Sequence, residues 1–482
     1  MNNLKEKTDY KRIDSDFKHE IAKICGGESM KYCYQCGACT SGCPLARLIN
    51  VYRPNRILQA AKLGLRSIPQ SSAFLLCSAC TQCTKNCPQS VTVHGIMHAL
   101  KEANLSDPAV REYLADRFEV DLAALSAEIP FPVSYAWICL PEEDGEDGFY
   151  KTLRETMRKS LAEKAAKKGK GKPKNAPKVA VIGSGPCGIT AAWTLANAGC
   201  AVTVYESLPE AGGMLLAGIP DYRLPNEVVA AEIENVKKAG VEIKTGVAVD
   251  RKLFDKLTKD GGLVLIATGA QSNRNLRIEG ADLQGVVPVL DFLKKFNLKQ
   301  PTNIGKNVVV IGGGNVGIDA ARTALRCGAS SVKLFCLESR NEMPAFGWEI
   351  KAAEDEGVKL YPSWGPKVIT GANGQVNGVE FIRCKSVFNA EKKFAPVFDE
   401  KTVEKTEADT VIMAIGQYPD LGFVSPAVEK ERGAVVVNPE TMETNIPGVY
   451  AGGDTVSGTA SLLEAIVAGK TAATYIIKRV KG

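Results

Sequence analysis

Apolar residues fall into two textures along the chain. In NRILQAAKLGL (55–65) and again in VHGIMHALKEANL (93–105) they recur at helical spacing, which predicts a helix over each. From Pro177 onward the texture changes to short apolar runs that end in glycine turns and alternate with alanine-rich segments, the pattern of alternating strands and helices. KVAVIG (178–183) and NVVVIG (307–312) each run from a strand into a glycine loop and then a helix, so two nucleotide-binding units are implied. Between the textures, residues 107–150 carry mixed signals. Their acidic and proline-rich patches (AEIPFPV, LPEEDGEDG) suggest a chain wrapping over another surface, and no element is placed there.

A length of 482 residues, at roughly 150 per domain, leads to about three domains. With 45% hydrophobic and 24% charged residues, the chain is neither disordered nor fibrous as a whole. The net charge of +6 is local, because residues 159–178 hold eight lysines against Glu163. That run, ending in KPKNAPK, reads as a solvated helix tail and flexible linker, and nucleic acid is set aside as a partner. MNNLKEKTDYKR is polar and charged, unlike a signal peptide, and no apolar run approaches the ~18 residues of a membrane span. A cytoplasmic protein is expected. Its 15 cysteines then point to metal or redox chemistry rather than disulfides.

Eight of those cysteines form two copies of one pattern: Cys33, Cys36, Cys39, Cys43, Pro44 and Cys77, Cys80, Cys83, Cys87, Pro88. This is the Cys-x2-Cys-x2-Cys-x3-Cys-Pro run of bacterial ferredoxins, in which three close thiolates hold one iron–sulfur cluster and the fourth commonly ligates the other. Two 4Fe-4S clusters are predicted, one on Cys33, Cys36, Cys39 and Cys87, the other on Cys77, Cys80, Cys83 and Cys43. Structural zinc is the weaker reading, since it has no use for a third cysteine and a proline at these spacings. Cys25 and Cys139 lie outside the pattern and are read as structural. Over residues 1–105, YCYQCGACTSGCP, RPNRILQAAKLG and CSACTQCTKNCP resemble the C subunit of heterodisulfide reductase. That resemblance implies an α-helical dicluster module that relays electrons between a flavoprotein and another subunit.

Gly183, Gly185 and Gly188, with Pro186, form G-x-G-x-x-G after a strand, where a pyrophosphate can approach the backbone at a helix N-terminus. Glu206 closes the next strand, where an acid that binds a ribose hydroxyl is expected. Gly312, Gly314 and Gly317, with Asn315, repeat the loop. LVLIATGAQ (263–271, with Gly269) and TVIMAIGQYPD (410–420, with Gly416) resemble the paired connections of two-dinucleotide flavoproteins, and VYAGGD (449–454) resembles their terminal FAD motif, with Gly453 and with Asp454 on the ribityl chain. EAGGMLLAGIPDYRLP (containing Gly212, Gly213 and Met214), GGGNVGIDAARTALRCGA and SRNEMPAF resemble the glutamate synthase small subunit and the large subunit of ferredoxin-dependent NAD(P) transhydrogenase. By that resemblance the first loop holds FAD, the second a nicotinamide, and the nicotinamide domain is inserted in the FAD domain. NADP-using relatives carry two arginines where this chain has Leu337 and Glu338; a carboxylate there accepts from the ribose diol and repels a 2′-phosphate, so NAD(H) is expected over NADP(H).

The expected fold is multidomain: a helical ferredoxin-like dicluster domain (1–106), a connecting segment with the lysine-rich linker (107–177), then an α/β two-dinucleotide-binding, Rossmann-like flavoprotein. Within the last, residues 178–290 and 409–482 form the FAD domain and 291–408 the inserted nicotinamide domain. The expected function is an NADH-linked subunit passing electrons between NAD(H), FAD and the two clusters, and on to or from iron–sulfur or flavin partner subunits. Both resemblances imply a multisubunit anaerobic complex, with electron bifurcation among its forms. No catalytic side chain is expected beyond the cofactor shell. The flavin part holds Cys187, Cys200, Cys327, Cys336 and Cys384 with no close pair, so a dithiol route is not expected, and Cys187 reads as a packed residue. His94 and His98 read as helix-surface residues. Two alternatives remain open: a glutamate synthase small subunit, and an electron conduit with an inactive nicotinamide site.

Overall fold

The computed structural model describes residues 14–23, 27–49, 52–65, 75–106, 108–142, 148–165, 176–391 and 393–481. Cys25 and most of the lysine-rich linker lie outside them.

The described residues up to Ala165 are helical. Short helices Ala38–Ser41, Pro44–Leu48 and Gln82–Lys85 interleave with the cysteines, while Pro54–Lys62 and Val93–Leu105 occupy the two segments whose periodicity predicts helices. Prolines 44, 54 and 132 each open a helix, where their missing N–H is no loss. Residues 108–142, where the sequence pattern places no element, are largely helical. They form the helices Pro108–Glu128 and Pro132–Ile138, with Phe149–Ala165 following. Leu114, Phe118, Leu122, Leu125 and Ile129, all fully buried, make a stripe at helical spacing that the proline and acidic clusters around it obscured. A buried carboxylate fixes the next helix: Glu232 accepts from the backbone N–H groups of Val133 (2.7 Å) and Ser134 (3.0 Å), caps unreadable from the local sequence.

Two five-stranded parallel sheets follow, with the same internal arrangement. In the first the order is Val449–Ala451, Leu263–Ile266, Lys178–Ile182, Ala201–Tyr205, Glu242–Lys244. In the second it is Val286–Pro288, Thr410–Met413, Asn307–Ile311, Ser331–Cys336, Lys359–Pro362. Each sheet centres on the strand that feeds a glycine loop. The second sheet draws in Val286–Pro288 and Thr410–Met413, which flank the 291–408 span expected for the inserted domain. Three antiparallel strands, Trp364–Ala372, Gln375–Phe388 and Phe394–Glu407, extend that unit. Ser272–Asn273 and Gln417–Tyr418 pair antiparallel where the chain passes between the two units.

Core packing places the helical domain. Its buried residues, from Phe17 through Leu161, form one continuous apolar cluster with the first α/β unit, including Ile189, Leu195, Ile466 and Ile476. The second unit has its own clusters. Cysteine loops and first glycine loop are thus built on a shared core, which tolerates little relative motion.

Candidate cofactor sites

Glycine is required sterically at the start of both loops. Gly183 (φ +104°) sits so close to the neighbouring strand that a Cβ would lie 2.3 Å from the Ala267 carbonyl oxygen. Gly312 (φ +130°) repeats this against Ala414 at 2.2 Å. The third glycines, Gly188 and Gly317, pack on the carbonyls of Gly183 and Gly312, and Gly185 and Gly314 stand at the N-caps of the helices Pro186–Asn197 and Asn315–Arg326. Backbone donors of each helix end therefore face an open cradle.

The first cradle is doubled. Gly213 approaches Gly185 so closely that a Cβ would meet its Cα at 2.5 Å, which brings the Gly212–Gly213–Met214 turn against the loop. Ser184 Oγ accepts from Gly212 N (3.1 Å) and donates to Glu206 (2.6 Å). Glu206 is buried, and both its oxygens are engaged: one accepts from Ser184 N and Oγ, the other from Leu208 N and Ser207 Oγ. The residue marked by the sequence as a ribose acid thus also locks the two glycine turns together. Gly269 N donates to Thr455 Oγ1 (2.9 Å), which brings the end of one central strand to the turn at Gly453 and Asp454. Burial pushes the Asp454 carboxyl up to about 6, with the charge of Glu464 adding to it against a bond from Ala460 N. Cys187 is buried against Gly452, Gly453 and Gly469, a packed residue whose thiol burial pushes up to about 12.

At the second cradle Asn315 accepts from Phe346 N (2.9 Å), fixing the SRNEMPAF segment beside the loop, and Gly416 packs on Arg274. Glu338 reaches Gly313: a Cβ there would lie 3.6 Å from its Oε2. Burial, with Glu342 nearby, raises its carboxyl above the ordinary range. The two cations that could take a 2′-phosphate instead are engaged elsewhere, Arg340 with Glu354 and Lys333 with Thr406 Oγ1 (2.6 Å).

Both cysteine loops store the same turn. Gln35 and Gly37 in the first, Ala79 and Thr81 in the second, have positive φ at matching places between the cysteines. Three of those four are not glycine, so the loops carry strain of the kind that functional sites retain. Cys33, Cys36, Cys39 and Cys87 line one small cavity with Tyr34, Gln35 and Asn55. Cys43 lies instead among Cys77, Cys80 and Cys83: burial pushes its thiol up to about 12, and the charges of Cys77 and Cys80 add to this. Among the described residues no three His, Cys, Asp or Glu side chains converge as a single-ion site.

Three groups that the sequence left unassigned surround the second set. Tyr52 is fully buried with its hydroxyl on Cys77. Lys101 is half-buried; its ammonium donates to the carbonyl oxygens of Cys139 (2.9 Å) and Leu75 (3.4 Å), and desolvation pulls it down, Cys139 and Cys77 opposing. A cation held by neutral oxygens beside Cys77 fits a cluster of net negative charge. Cys139 itself donates to Leu76 O (3.6 Å), a packed position as expected. The third group is Glu464, in the first turn of the helix Leu462–Lys481. It closes a capping box with Ser461 (Ser461 N at 3.0 Å, Oγ at 2.7 Å) and accepts from Gln82 in the second cysteine loop (2.7 Å). Its signal, Ser-x-x-Glu before an apolar run, was present in the sequence. The histidines do more than face solvent: His94 bonds Thr84 Oγ1 (2.9 Å), and His98 stacks on Trp348 of the second unit (5.8 Å).

Residues 177–472 match the family model "Pyridine nucleotide-disulphide oxidoreductase", and residues 29–91 match "4Fe-4S dicluster domain". The chain is 42% identical over 305 residues to the NADP(+)-dependent formate dehydrogenase subunit beta of Moorella thermoacetica, covering 62% of this chain and 43% of that protein. It is 35% identical over 313 residues to the glutamate synthase [NADPH] small chain of Azospirillum brasilense, covering 61% and 65%. The chain thus spans less than two thirds of the length of either relative. Among solved structures, Mycobacterium tuberculosis FprA in complex with NADPH superposes with a TM-score of 0.57 at 19% identity over 64% of this chain and 85% of that one, a likeness of fold. No helix among the described residues is long and apolar enough to cross a membrane.

Proposed function

The chain belongs to the pyridine nucleotide-disulphide oxidoreductase family, as an FAD-dependent NAD(P)H oxidoreductase with an iron–sulfur domain, and from that premise we propose that it is the NADH-linked electron-transfer subunit of a larger redox complex. One observation carries the reading: two four-cysteine sets lie in a domain that shares its core with the first glycine-loop unit, so the cluster sites and the flavin site are built on one shared core. Bound FAD supplies the exchange between the two-electron chemistry of a nicotinamide and the one-electron chemistry of clusters. The chain's own residues bind and orient. The helix end at Gly185 and Pro186, with Gly188 and the Gly212–Met214 turn, would hold the FAD pyrophosphate, Glu206 its ribose side, and Gly269, Gly453 and Asp454 the ribityl side. Gly312, Gly314, Asn315 and Gly317, with Gly416, would receive the nicotinamide dinucleotide.

NADH is favoured by Glu338, whose carboxylate stands beside the loop with Arg340 and Lys333 committed elsewhere. The names of both relatives carry NADP(H), so likeness alone would favour the phosphorylated cofactor. The crossed assignment, Cys33, Cys36, Cys39 and Cys87 against Cys43, Cys77, Cys80 and Cys83, gives two 4Fe-4S clusters. Partners are further iron–sulfur or flavin subunits, and electron bifurcation is the most demanding form of the reading.

The test is anaerobic: assay iron and flavin in the purified chain and titrate its visible spectrum with NADH and, separately, NADPH. About eight irons and one FAD, with NADH bleaching flavin and clusters, is the expected result. Reduction by NADPH alone overturns the nicotinamide preference. A flavin that neither nicotinamide reduces favours the inactive-site alternative.

A further inference from the structure

We propose that the cluster on Cys43, Cys77, Cys80 and Cys83 is the one next to the flavin, that Glu464 and Lys101 set its potential from opposite sides, and that the cluster on Cys33, Cys36, Cys39 and Cys87 is the outlet to the partner.

The proposal rests on the two-cluster reading above and deepens it. Glu464 joins the two sites physically. Its helix follows the Asp454 turn directly, one of its oxygens holds Ser461, and the other holds Gln82, which immediately precedes Cys83. It is close enough to act electrostatically on both Asp454 and Cys80. The helix Pro44–Leu48, which begins right after Cys43, also packs on Leu462–Lys481. Among the described residues the first set of cysteines has no such tie. It opens beside Tyr32 and Tyr34, 57% and 58% exposed, and Cys36 is itself exposed, whereas Cys43 and Cys83 are buried. The set tied through Glu464 to the Asp454 turn therefore has two buried cysteines and none exposed, whereas the other set has one buried, Cys39, and one exposed, Cys36.

Oxidation of NAD(P)H to NAD(P)+ releases two electrons and one proton. The electrons leave singly along this path to a one-electron acceptor on the partner, or enter by the reverse route, and the proton goes to solvent. A fixed charge near a cluster shifts its potential, because reduction adds a negative charge to the site. Glu464 opposes that charge and Lys101 favours it, so the same cluster carries both influences.

The experiment is an anaerobic redox titration of the full chain, read by electron paramagnetic resonance on each cluster signal. Glu464→Gln should move the midpoint of one signal upward and leave the other in place. Lys101→Met should move the same signal downward. Cys36→Ser should perturb the signal that neither of these variants moves. Equal shifts of both signals in Glu464→Gln, no shift at all, or a shift in the signal that Cys36→Ser perturbs, would overturn the ordering. If Lys101→Met does not fold, the other two variants still decide. Fewer than two clusters by iron content would break the two-cluster reading instead, a separate failure.

Discussion

At the first glycine loop Glu206 is buried, one oxygen accepting from Ser184 of the loop and the other from Ser207 and Leu208 in its own turn; at the second, Glu338 stands beside Gly313 with its carboxyl raised by burial. The backbones are otherwise alike, down to the carbonyl that each leading glycine touches. The difference teaches that the cradle is generic while the acid carries the specialisation. An acid that also braces the turns around it suits a cofactor that stays, and an acid left free of such bonds suits one that exchanges. The two units are also held differently. The first shares an apolar core with the helical domain, whereas the second meets its neighbours through a buried ion network in which Arg223 pairs with Asp319 and Glu349, and Arg322 with Glu142 and Glu356.

The largest effects come from filling the cradles. Gly183→Ala and Gly312→Ala each place a Cβ within 2.3 Å of a carbonyl oxygen, in a backbone region that alanine rarely adopts. Overpacking plus that strain should cost about 2–5 kcal/mol locally. Gly183→Ala is expected to purify without flavin; Gly312→Ala should keep its flavin and lose reduction by NADH. Flavin loss in both variants would mean that the two loops do not hold different cofactors.

A smaller effect sharpens the contrast between the acids. Glu338→Arg combined with Leu337→Arg should shift the ratio of kcat/KM for NADPH over NADH upward by roughly 10–100-fold, the worth of one charged hydrogen bond gained. The conservative Glu206→Gln, which retains an acceptor for the loop, should leave that ratio where it is. Steady-state kinetics with both nicotinamides decide, and a ratio moved by Glu206→Gln would collapse the distinction.

The smallest effect concerns how the second unit is held. Burial alone would raise the Glu356 carboxyl, but bonds and charges from Arg326 and Arg322 outweigh it and bring it to about 2, below its ordinary 4.5. A carboxyl with a depressed folded-state pKa binds its proton more weakly when folded, so its stabilisation is present above 4.5 and is lost as pH falls toward 2. Hydrogen exchange between pH 5 and 3 should show protection declining first in the helices Asn315–Arg326 and Gly347–Asp355, before Pro186–Asn197. Simultaneous loss would show that the network does not anchor the second unit separately.

Much of this was written locally. The doubled cysteine run, the two strand–glycine–helix loops and the helices at 55–65 and 93–105 depend on residue spacing within one element, and spacing is what a sequence displays. The stretch 107–150 stayed unplaced for a related reason: the buried stripe at 114–129 was obscured by its neighbours, and the helix that follows it, Pro132–Ile138, is capped by Glu232, about a hundred residues away. Which cysteine joins which set could be expected from a rule of spacing, yet only folding brings Cys43 among Cys77, Cys80 and Cys83 and turns Cys87 toward Cys33. Lys101 and Glu464 were ordinary charges on paper. Tertiary packing sets one beside Cys77 and Cys139 and bonds the other across 382 residues to Gln82, because the strength of a charge depends on what surrounds it, and surroundings exist only once the chain has closed on itself.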